Sequence, residues 1–128
     1  MTQTSHQRTI FQGETRKFKL TLLDEFGTPV EALAADATSI RVALLVDNTV
    51  YVRYAQTPPN SQFRSLDSVT LATVELFLYS EDSATLPPGT LKAQLHAELA
   101  DPAYPNSTRE LTNHYHLGIV AADQAHKL

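Results

Sequence analysis

The sequence predicts an all-β protein: an antiparallel, immunoglobulin-like β-sandwich of about seven strands with flexible N- and C-terminal arms. Three observations predict it. Apolar and polar side chains alternate over six separate segments, which is the period of a half-buried strand. All seven prolines (Pro29, Pro58, Pro59, Pro87, Pro88, Pro102 and Pro105) fall between those segments, as befits a residue that cannot donate to a strand ladder. The 128 residues, 42% of them hydrophobic, suffice for one ordinary domain whose core needs no covalent staple.

The elements follow in order. A short strand is expected at residues 8–12, ending before Gly13. Residues 16–22 alternate, with Phe18, Leu20 and Leu22 on one face and Lys17, Lys19 and Thr21 on the other. Asp24-Glu25-Phe26-Gly27 has Asp first and Gly fourth, the preference of a type I turn. Residues 31–37 are alanine-rich and suit one helical turn. The next strand is 40–46, and Asp47-Asn48 closes a tight hairpin onto 49–55. There Val50, Val52 and Tyr54 face inward, while Tyr51 and Arg53 face outward. Residues 56–67 form a long polar loop that crosses from one sheet to the other. A strand at 69–79 follows, with Val74, Leu76 and Leu78 inward, and then a second helical turn at 81–86. Pro87-Pro88-Gly89 launches the strand 91–99, and 111–120 is the last, with Asn113, Tyr115, Leu117 and Ile119 on one face. Gly118 is the one glycine inside a strand-like run. The predicted organisation is a sandwich over 9–120 between an N-terminal arm, 1–8, and a C-terminal arm, 121–128.

Composition narrows the function. Ten Lys and Arg against fourteen Asp and Glu give a net charge of −4, which opposes a phosphate-dominated nucleic-acid partner. No apolar run approaches the roughly 20 residues that cross a bilayer, and no signal-peptide segment follows Met1. No membrane partner is expected. With no cysteine, disulfides, zinc-thiolate sites and a cysteine nucleophile are excluded. The same absence fits assembly in a reducing cytoplasm.

Catalytic motifs are missing. There is no Gly-rich phosphate loop, no G-x-S-x-G elbow and no H-E-x-x-H helix. The carboxylates cluster in turns and at outward positions, where they read as solvated. No catalytic residue, cofactor or metal is therefore expected. The concentrated feature is histidine: His114 and His116 share one strand face, and pairing Ala100 with Glu110 would set His96 opposite His114. Three imidazoles would suit a transition metal, but no carboxylate orienter is evident. We read them, with Lys92, Gln94, Glu98 and Thr112, as a polar solvent-facing or interface patch. Tyr51, Arg53 and Tyr104 are the other candidate binding residues, since exposed tyrosines serve protein interfaces and also stack on sugar rings. A carbohydrate-binding module is accordingly the alternative function. Phe26 and Phe63 are expected to tuck over the ends of the sandwich. The polar arms suit ordering on a neighbour, and 8–12, read as an antiparallel edge, suits pairing with a neighbour's strand so that the sheet continues between subunits.

The order of motifs adds a resemblance. Gly13-Glu14-Thr15, the alternating strand, Asp24-Glu25-Phe26-Gly27-Thr28-Pro29-Val30, Val74-Glu75-Leu76-Phe77-Leu78 and Leu86-Pro87-Pro88-Gly89-Thr90-Leu91 occur in sequence. This resembles the N-terminal β-sandwich domain of tailed-phage baseplate upper proteins and related phage tail or fibre-attachment proteins. Their pattern is a G-D-T-like start, a D-x-x-G-x-P turn and a Leu-Pro-x-Gly turn before a strand. The likeness covers residues 13–120, with Glu14 in place of the usual Asp. No receptor-binding segment follows Val120, which argues against a host-binding tip. The resemblance implies a small, non-enzymatic virion structural protein of the tail, baseplate, neck or fibre adaptor. It would be assembled in the host cytoplasm and bound to copies of itself and to other virion proteins.

Overall fold

The computed structural model describes residues 8–122. They form two packed sheets, as the alternation predicts, with nine strands among the described residues. The strands are β1 (Thr9–Phe11), β2 (Arg16–Thr21), β3 (Ala37–Val46), β4 (Thr49–Ala55), β5 (Phe63–Ser65), β6 (Ser68–Thr70), β7 (Thr73–Leu78), β8 (Gly89–Ala100) and β9 (Thr108–Ala121). Of two single helical turns, α1 (Leu33–Asp36) sits within the predicted alanine-rich stretch, and α2 (Ser80–Ser83) overlaps only the start of the turn expected at 81–86. The large sheet has the order β1-β9-β8-β3-β4-β5 and the small one β2-β7-β6. With β2, β7 and β6 in the places of strands B, E and D, and β9, β8, β3 and β4 in those of G, F, C and C′, this is the order of a variable-type immunoglobulin sandwich.

The core lies where the period of two puts it. Phe18, Leu20, Val74, Leu76 and Leu78 from the small sheet meet Val42, Leu44, Tyr54, Leu91 and Leu95 from the large one, all buried. Each fully buried aliphatic side chain contributes roughly 1.5–3 kcal/mol of transfer free energy. Tyr54 spans the two layers: its hydroxyl donates to the Phe77 carbonyl at 2.8 Å, and burial raises its pKa. Ser83, the one buried polar residue among those described, holds the first turn onto α2. Its Oγ accepts from the Gly13 amide at 2.9 Å and donates to the Glu14 carbonyl at 2.7 Å. On the opposite flank, the Tyr115 hydroxyl donates to the Thr21 carbonyl at 2.7 Å. Asn113 pairs with both backbone groups of Leu23, at 2.7 and 3.0 Å.

Several expectations are corrected. The predicted strand 69–79 is two strands, β6 and β7, that pair with each other through a reversal at Leu71-Ala72. Leu-Ala carries no turn signal. The reversal exists because the Leu22 and Ala34 amides bond the Ala72 and Leu71 carbonyls, at 2.8 and 2.9 Å, and hold Leu71 at φ 51°. Part of the polar loop 56–67 is strand β5, parallel to β4; the predicted crossing between sheets then falls between β5 and β6. The edge at 8–12 is strand β1, but it runs parallel to β9.

Two bulges move side chains between faces. In the β3–β4 hairpin the register shifts so that Leu44 faces Val52 while Leu45 faces Val50. This leaves Tyr51 as the extra residue and turns Val50 outward, against expectation. In β9 the shift falls at Leu117: Leu91 faces Gly118, whereas Lys92 faces His116. Val120 is therefore buried, and Ile119, expected inside, is 36% exposed. The predicted arms begin inside the fold, because the Arg8 carbonyl accepts the Ile119 amide at 2.8 Å and Ala121 ends β9. Residues 1–7 and 123–128 of those arms lie outside the described residues.

Candidate functional site

Two exposed surfaces carry the candidate residues. One is the loop end, where the connections 22–36, 56–62 and 101–107 leave the sheets. The Asp24 turn forms as its residues predict, with the Gly27 amide on the Asp24 carbonyl at 3.0 Å. The Asp24 Oδ1 accepts the Phe26 and Thr28 amides at 2.8 and 3.0 Å. These bonds, led by that from Thr28 and aided by the charge of Arg109, hold the Asp24 carboxyl below its ordinary pKa. The turn lifts Phe26 clear of the molecule, 85% exposed, so the expectation that it tucks over the sandwich is wrong. A turn whose amides are already satisfied by Asp24 needs no packing from its third side chain.

The neighbouring 101–107 loop is tightened by Asn106 and Ser107, both at positive φ (59° and 54°), and by the Asp101 amide on the Ser107 carbonyl at 2.9 Å. Arg109 couples the two loops. It donates to Glu25 at 3.2 Å and lies over the Tyr104 ring, 5.4 Å from the centroid. Tyr104 thus presents one ring face to Arg109 and remains 37% exposed. Phe26, Tyr104 and Arg109 form one braced tip. Arg109 was not foreseen; only its position beside the Pro-rich loop hinted at it.

The second surface is the outer face of the large sheet. The tight loop closes the β8–β9 hairpin at Ala100 and Thr108, two residues earlier than expected for β9. This corrects the histidine alignment: His96 faces Thr112, His114 faces Gln94 and His116 faces Lys92. The His96 Nδ1 lies 3.0 Å from the Thr112 hydroxyl and its Nε2 3.4 Å from Glu110. His114 and His116 share the face one pleat apart, exposed. No three His, Asp or Glu side chains among the described residues are grouped to hold a metal ion.

Beside His96 lies an open groove of about 290 Å³. Its floor is Ala43 and Val50, and its walls include Arg41, Arg53, Phe63 and Gln94. The groove exists because Ala43, a small residue, stands between Gln94 on β8 and Arg53 on β4. Phe63 is not over an end of the sandwich; it pairs with Arg53 and carries the Arg41 guanidinium 5.2 Å from its ring centroid. The outward positions of Arg41 and Arg53 were readable from alternation, whereas the bulge that adds Val50 and the strand that adds Phe63 were not. Tyr51, 41% exposed, occupies the β4 bulge near the Asp47-Asn48 turn. Tyr51 and Tyr104 stand at opposite ends of the sheet and cannot act as one stacking platform.

On the outer face of the small sheet an acidic pair surrounds Lys17. Lys17 Nζ lies 2.7 Å from Glu75 and 3.6 Å from Asp67, and Lys17 holds the Glu75 pKa down through that bond. At the β5 edge of the large sheet, Arg64 grips Asp82 with two bonds of 2.9 Å. Fold and surface together define an immunoglobulin-like sandwich with an exposed aromatic tip and a cationic groove. No family model, no curated protein and no solved structure matches the chain.

Proposed function

We propose that the protein is a non-enzymatic structural component of a bacteriophage virion, an adaptor of the tail, baseplate, neck or fibre. In this reading it docks copies of itself and other virion proteins. The virion context rests on the order of turn motifs from Gly13 to Val120. The observation that carries the docking role is the loop-end tip: a phenylalanine 85% exposed on a turn held by its own aspartate, beside a tyrosine stacked on an arginine. Aromatic and arginine side chains dominate the energetics of protein interfaces. A tip ordered before contact also loses little conformational entropy on binding.

Two measurements test this. The reading frame should lie among tail, portal or fibre genes. Phe26→Ser should leave stability within about 0.5 kcal/mol, since the side chain is a surface one, yet remove the protein from assembled particles. Wild-type protein that stays monomeric at high concentration, together with normal virion composition after its deletion, would overturn the reading.

A further inference from the structure

We propose that the groove on the outer face of the large sheet is a carboxylate-binding site whose occupant is an acidic side chain in a peptide segment of a partner protein. The inference is independent of the virion reading and of the Phe26 tip. It starts from charge. Arg16, Arg64 and Arg109 each meet a carboxylate of this chain, at 3.3, 2.9 and 3.2 Å. Arg41 and Arg53 form no ion pair with any described residue, and both line the same groove. They occupy diagonal positions on adjacent strands, since Arg41 faces Ala55 and Arg53 faces Ala43. Like charges placed so close on one sheet face repel, and an anion between them removes that cost. Lys19 and Lys92 also lack an ion pair among the described residues, but Arg41 and Arg53 are the two that line one groove, in a chain of net charge −4.

The shape selects the kind of anion. Phe63 fixes the Arg41 guanidinium over its ring, leaving the N–H edge free for the planar, two-oxygen acceptor that a guanidinium fork matches. The Ala43 and Val50 floor accepts a short aliphatic stem. A volume of about 290 Å³ holds one side chain rather than a polymer. Nucleic acid does not fit, because Glu110 stands beside His96 at the groove's flank and recognition of a polyanion needs an extended run of cations. A glutamate in an extended segment matches stem, charge and size.

The test is an array of short peptides with central Glu and varied flanks, paired with an identical array carrying Gln. The probe is the full chain, alongside R41Q and R53Q. Selected peptides are followed by NMR titration with inorganic phosphate and oligothymidine as competitors. The expected result is Glu-dependent binding, at least about tenfold over Gln, as charge-assisted paired hydrogen bonds provide. It should shift the Arg41, Ala43, Arg53 and Phe63 resonances and be lost in both variants while their remaining spectra stay native. Equal signals from Glu and Gln, no saturable binding on either array, binding retained in R41Q and R53Q, or displacement by phosphate or oligothymidine at matching concentration would each overturn the proposal.

Discussion

The Asp24 carboxylate accepts two backbone amides of its own turn through one oxygen, at 2.8 and 3.0 Å, and stands in the field of Arg109. Its folded pKa is therefore below the ordinary aspartate value of 3.8. A group whose pKa falls on folding contributes stability that is complete above the unfolded value and lost as pH drops through the folded one. The Phe26 and Thr28 amide resonances should accordingly titrate with a midpoint below 3.8, and the tip should keep its shape through mild acid. An NMR titration with its midpoint at or above that value would show that the carboxylate is not held in the turn. The aspartate and the glycine made this turn legible. Nothing in the same four residues indicated that Phe26 would point to solvent, because that depends on what the neighbouring loop leaves uncovered.

Among the elements, β9 shows best where a strand can and cannot be read from sequence. Its alternation places Asn113 and Tyr115 on the inner side and His114 and His116 on the outer one, as found. The bulge at Leu117 then reverses the pattern. Gly118 was the available signal, since a glycine within a strand often marks a bulge or a close backbone approach. Here it marks both: Gly118 has φ 154°, and a Cβ there would collide with the Arg8 carbonyl oxygen. Gly118→Ala should therefore release β1 from the sheet edge before it harms the core. Hydrogen exchange should show the Ile119 amide, normally bonded to Arg8 at 2.8 Å, losing most of its protection, while amides in β3 and β8 keep theirs. Unchanged protection at Ile119 would contradict the assigned packing. Register in the β8–β9 hairpin was misread for a related reason. Loop length depends on two non-glycine residues at positive φ, Asn106 and Ser107, a conformation their types permit but do not announce.

For the molecule as a whole, the fold class was legible because proline placement and the period of two are direct consequences of ladder chemistry. The assignment of strands to sheets was not. It depends on contacts between distant residues: the Tyr54 hydroxyl on Phe77, Ser83 on the Gly13-Glu14 turn, and Tyr115 on Thr21. The last of these ties the large sheet to the end of β2 from the flank. Tyr115→Phe should cost about 1 kcal/mol, the net value of one half-buried hydrogen bond, and lower Tm by a few degrees for a chain of this size. Thermal and chemical denaturation should agree on that loss without a change in cooperativity. A loss below experimental error would mean that water replaces the clamp.

The parallel pairing of β1 with β9 bears on how the sandwich carries load. Tension that draws Thr9 backward and Ala121 forward acts along the two strands in opposite senses. The bonds from Ile119 to Arg8 and from Gln12 to Ala121, at 2.8 and 3.1 Å, lie across that direction. They are strained together, as rivets in a lap joint are, and do not open in turn like a zipper. An antiparallel edge pulled at the same two positions would peel one bond at a time. The first strand, only three residues long, thus works as a shear pin whose strength lies in its orientation.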